Sequence, residues 1–226
     1  MAHWKILPLL FVAGIQTVFG GDPVSLRLVC FDEATPLSAL VAGSEKGEKI
    51  NVTISSNSFS APILWEDGLK TISFYSAKDS LFVATATLPA KIKSAILVLS
   101  PSPKDQNTSP WKITVIDDSP KNFEDGGALV ANFFTNDVRF IIGDETLTLK
   151  PGESRNIPKP KVRDDFNMAL VASQFQKGEA WVNTSENMLR FLPGSRYVIM
   201  AYSDPNSANP RILSMQDNKP SPPAKR

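Results

Sequence analysis

The residues best suited to chemistry in this chain are neighbouring carboxylates, which occur as Asp32-Glu33, Asp117-Asp118 and Asp164-Asp165. Calcium takes roughly six to eight oxygen ligands, and loops between the strands of a sandwich can supply them. None of these pairs forms a D-x-D-x-D-G loop, and neighbouring residues in an extended chain point to opposite sides. We therefore predict solvated turn carboxylates and no metal site, with a loop calcium site as the alternative.

Imidazole and thiol chemistry are almost absent from the sequence. The chain has one histidine, His3, and one cysteine, Cys30. Removal of His3 with a signal peptide leaves no imidazole, which excludes Ser-His-Asp and Cys-His machinery and every His-ligated metal site. The G-x-S-x-G and Walker motifs do not occur either. We predict that the protein is not an enzyme and has no catalytic, cofactor-binding or metal-binding residues.

The N-terminal segment has the three parts of a secretory signal. Lys5 precedes a mostly apolar run over residues 6–19, and two small glycines follow. Val18 and Gly20 fit the −3 and −1 positions for cleavage. A retained anchor is the alternative, but a bilayer span needs about 20 apolar residues and this run is shorter. We predict a secreted or periplasmic protein with no membrane span after signal removal.

Past the predicted signal, the pattern of apolar residues is that of strands. Short runs rich in β-branched and aromatic residues recur about every 10 to 20 positions, separated by Pro, Gly, Asn, Asp and Ser. Such runs are typical of antiparallel sandwiches and barrels. No long segment has a helical period. In the first run, Leu26, Leu28 and Cys30 alternate with polar or smaller neighbours, so we expect Cys30 to face the core.

The second half of the chain repeats the order of the first at an offset of about 100 residues. Five pairs of segments match in the same order: 40–43 with 140–143, 47–48 with 152–153, 82–85 with 181–184, 95–100 with 197–203, and 111–117 with 211–217. We predict an all-β protein of two tandem antiparallel β-sandwich domains, immunoglobulin-like or jelly-roll, related by internal duplication. A single large sandwich is the alternative.

The predicted boundaries follow from the repeat and from composition. Residues 1–20 are the signal peptide, 21–118 the first copy, 119–218 the second copy and 219–226 a disordered tail. The join falls in the polar segment 117–127, which contains Pro and Gly and suits a linker. The tail has no large apolar residue, so it cannot offset its ordering entropy by burial.

The second copy opens with three blocks, GALVANFF at 127–134, VRFIIG at 138–143 and LTLKPGE at 147–153. These blocks resemble the opening of small β-sandwich domains in uncharacterised secreted bacterial proteins. The resemblance implies a sandwich fold and an envelope location, and it carries no functional residues.

The net charge and the aromatic residues limit the classes of partner that the protein is expected to bind. With 24 basic and 23 acidic residues the net charge is +1, which removes the electrostatic case for nucleic acid. We predict a non-catalytic binding or structural protein whose partner is an unknown envelope protein or polysaccharide. One alternative is a carbohydrate-binding protein and another is a small carboxylate-dependent hydrolase. The aromatic residues that suit a sugar-stacking face, or packing between sheets, are Trp65, Tyr75, Trp111, Trp181, Tyr197 and Tyr202.

Overall fold

The computed structural model describes residues 23–31, 39–43, 49–55, 58–65, 70–102, 109, 111–161, 166–204 and 207–218. The predicted signal peptide and the predicted tail lie outside these ranges. Most of the described residues lie in strands, and the predicted all-β fold is confirmed. Among them, no helix has the length and apolar character needed to cross a membrane.

The first half of the chain forms two sheets of four strands each. The first inner sheet has the order β4-β1-β7-β8, and the first outer sheet has the order β3-β2-β5-β6. The strands are β1 (Val24–Cys30), β2 (Ala39–Gly43), β3 (Ile50–Thr53), β4 (Ile63–Trp65), β5 (Thr71–Ser76), β6 (Phe82–Thr87), β7 (Ser94–Pro101) and β8 (Trp111–Asp117).

The second half follows a short 3₁₀ helix, Pro120–Asn122, and also forms two four-stranded sheets. The second inner sheet has the order β12-β9-β15-β16, and the second outer sheet has the order β11-β10-β13-β14. The strands are β9 (Ala128–Phe133), β10 (Val138–Ile142), β11 (Glu145–Leu149), β12 (Ser154–Ile157), β13 (Met168–Lys177), β14 (Ala180–Arg190), β15 (Ser195–Ser203) and β16 (Pro210–Asn218).

The two halves have the same topology, with each strand number raised by eight. Two tandem β-sandwiches related by duplication are therefore what the chain forms. The pairings are antiparallel except β1 with β7 and β9 with β15, which are parallel in both copies. The chain passes through the outer sheet, and through β4 or β12 at the far edge of the inner one, between the two strands of each parallel pair, and a parallel pair needs such a crossover.

Four of the five matched segment pairs fall on equivalent strands: β2 with β10, β6 with β14, β7 with β15 and β8 with β16. The fifth pair does not. Residues 152–153 lie between β11 and β12, whereas residues 47–48 precede β3 in the chain. Residues 47–48 themselves lie outside the described residues. A match of two residues is short enough to arise by chance, so it is weak evidence of equivalent positions.

Each sandwich encloses its own apolar core between its inner and outer sheets. The central strand β7 shows how sequence dictates this arrangement. Its segment 95–99 is apolar at every position and fully buried, with Leu97 and Leu99 in the first core and Ile96 and Val98 on the other face. A strand without polar alternation is one that is covered on both faces. The inner sheets are thus the middle layers of a stack.

Cys30 lies where its alternation predicts. It packs in the first core with Leu26 and Leu28, and only 2% of it is exposed. The prediction of an inward-facing thiol is confirmed.

A thiol-specific maleimide is expected to label native protein at Cys30 very slowly and denatured protein at once, because reagent access requires unfolding. Mass spectrometry of timed samples measures the rate. A Lys177→Cys variant, with its new thiol at the exposed end of β13, serves as the control that labels fast in the native state. Rapid labelling of native Cys30 would contradict the packing.

Candidate binding cleft between the two sandwiches

The two inner sheets pack face to face through a third apolar cluster. The cluster combines residues of both halves, so the molecule is a stack of four sheets: outer, inner, inner, outer. Its buried members are Val29, Phe31, Ile96, Val98 and Ile116 from the first half, and Leu129, Ala131, Val198, Met200 and Met215 from the second.

A buried network of four charges lies beside this cluster and joins the halves. Arg27 donates to Asp217 Oδ1 at 2.5 Å and to Asp118 Oδ2 at 2.6 Å. Arg196 pairs with Asp217 at 3.1 Å and also with Asp118. Each half contributes one arginine and one aspartate, so every charge is paired within its half and across the interface. Buried charges are tolerated only when paired in this way.

Aromatic rings cover both guanidinium groups. The guanidinium carbon of Arg27 lies 4.8 Å from the ring centre of Phe59, and that of Arg196 lies 4.5 Å from Phe123. Burial lowers the pKa of Arg27, but the hydrogen bonds and charges of Asp217 and Asp118 raise it more, so the pKa lies above its ordinary value. Arg27 stays charged, and the network fixes the orientation of one sandwich on the other.

The prediction of solvated turn carboxylates is wrong for Asp118, which is 4% exposed and belongs to the network. It holds for Asp117, which is exposed and accepts hydrogen bonds from the Ser119 amide at 2.9 Å and the Ser119 hydroxyl at 2.5 Å. Burial raises the pKa of Asp117, but the Ser119 bonds outweigh it and the pKa lies below its usual value. The pairs 32–33 and 164–165 lie outside the described residues.

A cleft of about 700 Å³ opens between the halves, next to the apolar interface. Most of its lining side chains carry hydroxyl groups or are apolar, and Lys112 is the charged one. The lining residues are Thr85, Thr87, Pro89, Ser100, Pro101, Lys112, Ile113, Thr114 and Val115 from the first half, and Phe133, Phe134, Thr135, Pro151, Gly152, Tyr202 and Ser203 from the second.

Aromatic rings from both halves meet at one side of the cleft. Phe133 and Tyr202 are directly paired neighbours on the parallel strands β9 and β15. The Tyr202 ring stacks on Phe31 of the first half at 4.6 Å, and the Phe133 ring lies 6.4 Å from Phe31. Because Phe31 is buried, it holds the two cleft rings against the interface.

Asn132 organises the wall contributed by the second half. Its buried side chain donates to the carbonyls of Asn136 at 2.8 Å and Leu149 at 2.9 Å, and it accepts from the Phe134 amide at 2.9 Å. Its own carbonyl accepts from the Gly152 amide at 2.7 Å. Gly152 has a φ of +83°, which glycine adopts without strain. One side chain therefore holds both turns that border the cleft.

The six aromatics considered for a sugar-stacking face do not form a single face. Trp65 is buried in the first core, while Trp111 and Tyr197 pack against the first and second cores. Trp181 lies under the Arg139 guanidinium at 3.9 Å, and Tyr75 makes an edge contact with Phe82. Of the six, Tyr202 lines the cleft, where it joins Phe133 and Phe134.

Ser109 and Lys112 have the S-x-x-K spacing of some serine hydrolases, and this match was not among the sequence-based predictions. The Ser109 hydroxyl donates to the Val83 carbonyl and accepts from the Trp111 amide at 3.2 Å. Ser109 precedes β8, and its hydroxyl is held by backbone groups of β6 and β8 and not by the exposed Lys112 side chain. The pair therefore lacks the geometry of a nucleophile with its base. In the part of the chain that the structure describes, no three His, Cys, Asp or Glu side chains are grouped as metal ligands would be.

Comparisons with known proteins identify no relative that informs the function of this chain. No protein-family model matches the chain, and no curated protein matches it. Among solved structures, human GIVD cytosolic phospholipase A2 is matched with 12% identity and a TM-score of 0.23 over 88% of this chain. The match spans 32% of the phospholipase chain. A likeness this low carries no argument about fold or function.

Proposed function

We propose that the protein is a non-catalytic binding protein, secreted or held in a bacterial envelope, and that its binding site is the cleft between the two sandwiches. The observation that carries the proposal is that both halves form the walls of this cleft and are held in a fixed arrangement. Both halves contribute lining residues, and the buried charge network and the third apolar cluster fix the halves relative to each other. A preformed concave site binds without a large ordering cost.

The chemistry of the lining favours binding over hydrolysis. Glycoside hydrolysis uses two carboxylates roughly 5 to 10 Å apart. The described lining residues include hydroxyls, rings and one lysine, but no carboxylate, imidazole or thiol. Hydroxyl groups and rings orient a ligand through hydrogen bonds and stacking without transferring protons. This lining supports an envelope polysaccharide or an envelope protein as the ligand.

Filling the cleft is expected to abolish binding. Thr135 and Ser203 are exposed lining residues, so Thr135→Arg combined with Ser203→Arg adds bulk at little cost in stability. Sedimentation with purified peptidoglycan and surface binding to solubilised envelope proteins measure the loss. Thr148→Arg, an exposed change on β11 of the second outer sheet, is the matched control and should bind like the wild type.

The proposal also predicts no turnover of glycoside, ester and peptide substrates. Steady hydrolysis of one substrate, abolished by changing a single carboxylate outside the buried charge network such as Asp165, would overturn it. Unchanged binding in the cleft-filling variant would place the binding surface elsewhere.

A further inference from the structure

Strand β8 is an edge strand that borders the cleft, and β6 of the first outer sheet lies near it without being paired to it. As the last strand of the first inner sheet, β8 pairs with β7 on one side. The Asp118 amide donates to the Ser94 carbonyl at 2.9 Å, which fixes which residues share hydrogen bonds with β7. In an antiparallel pair these residues alternate with ones whose amide and carbonyl point away. Thr114 therefore bonds to β7, whereas Ile113 and Val115 direct their backbone groups outward.

The opposite strand confirms this alternation. Leu99, which pairs with Ile113, uses its carbonyl to accept from the Phe31 amide on the far side of β7 at 2.8 Å. The backbone groups of Ile113 must therefore face the other way. Among the described residues, none hydrogen-bonds to the outward groups of Ile113 or Val115.

These outward groups lie in the cleft. Four consecutive residues, 112–115, border it. Side chains of consecutive strand residues alternate between faces, so four in a row border one space only where the strand edge itself faces that space. At about 3.4 Å per residue, this edge is about 14 Å long, with the backbone groups of Ile113 and Val115 directed outward.

We propose that the cleft takes an extended segment of a partner protein, which adds as a further strand alongside β8 and places an acidic side chain near Lys112. The inference rests on the proposed function, since it uses the same cleft. An unpaired strand edge is complementary to another extended backbone. Lys112 is the charged side chain of the lining, so an acidic segment is the one that its charge favours. The Phe133 and Tyr202 rings face the same cleft and receive apolar side chains of the segment.

The probe is a displayed library of short random peptides, selected on the full protein and then synthesised. Selected peptides are expected to contain acidic residues. On binding, amide hydrogen exchange at Ile113 and Val115 should slow by about tenfold or more, because these amides gain hydrogen-bond partners. The Thr114 amide, already bonded to β7, is the internal control and should change little. A selected peptide that binds in the cleft without slowing Ile113 and Val115 would overturn strand addition.

A proline tests the backbone contact directly. Ile113→Pro removes the outward donor and no β7 bond, and proline is tolerated on strand edges at such positions. We expect peptide affinity to fall about tenfold or more. Ile113→Ala loses the side chain but keeps the donor, so it should retain binding within about twofold. Lys112→Ala should weaken binding about two- to fivefold. Melting temperatures verify folding, and if the proline variant unfolds, the exchange measurement decides.

A panel of peptidoglycan fragments and glucan oligomers separates this inference from the proposed function. One outcome is that the sugars bind, that the cleft-filling variant no longer binds them, and that no peptide is selected. In that case the cleft is still the binding site, but strand addition is wrong. If neither peptides nor sugars bind the cleft, both proposals fail. Equal peptide binding by the proline and alanine variants would also overturn strand addition.

Discussion

Replacing Asp118 with alanine is expected to lower the free energy of unfolding by about 3 to 5 kcal/mol, the cost of breaking a buried ion pair from one side. The change leaves Arg27 and Arg196 facing Asp217 alone, so one buried positive charge has no partner. Both guanidinium groups are too enclosed to recover water without opening the interface. Urea denaturation followed by tryptophan fluorescence measures the loss.

The neighbouring residue supplies a matched control. Asp117 is exposed, and its hydrogen bonds go to Ser119 two residues away. Asp117→Ala is expected to cost about 1 kcal/mol or less, because water replaces the lost bonds. If the two variants were equally stable, the network would not hold the halves together. The proposal that the halves give the cleft a fixed shape would then lose its support.

The all-β fold could be predicted from the sequence because a strand is indicated by the pattern of neighbouring residues. Alternation over residues 26–30 places Cys30 in the first core, and the repeated order of segments predicts two copies of one topology. The parallel pairings of β1 with β7 and β9 with β15 were not predicted, since alternation does not encode strand direction. The buried run 95–99 does carry a signal for a layer on each face, and a continuous apolar run is the feature that indicates it.

The cleft and the charge network beside it could not be predicted from the sequence in the same way, because the residues that form them are far apart in the chain. Arg27 and Asp217 are separated by 190 positions, and neither belongs to a motif. The pair Asp117-Asp118 reads as a polar turn, and only the packing of the second half distinguishes the buried carboxylate from the exposed one. Phe133 likewise looks like an ordinary strand residue until Phe31 and Tyr202 are seen beside it.

Replacing Asn132 with leucine is expected to remove about 2 to 4 kcal/mol of stability and to disorder one wall of the cleft. The substitution keeps a branched side chain of similar size but leaves the Phe134 amide and the carbonyls of Asn136 and Leu149 without their partner. Each buried group stranded in this way costs about 1 to 3 kcal/mol, and water that enters the opened turns recovers part of it. Urea denaturation measures the stability.

The effect on the wall is distinct from the effect on stability. Phe134, Pro151 and Gly152 border the cleft and depend on the turns that Asn132 holds, so ligand binding should fall even at temperatures where the variant is fully folded. Asn136→Ala, four positions along the chain, removes two exposed bonds, one to the Gln176 carbonyl and one from the Thr135 hydroxyl, both of which water replaces, so it should cost about 1 kcal/mol or less with binding retained. A leucine variant that loses stability but binds normally would show that the wall formed by Phe134, Pro151 and Gly152 contributes nothing to binding, and that the ligand is held by the edge of β8 and by Phe133 and Tyr202.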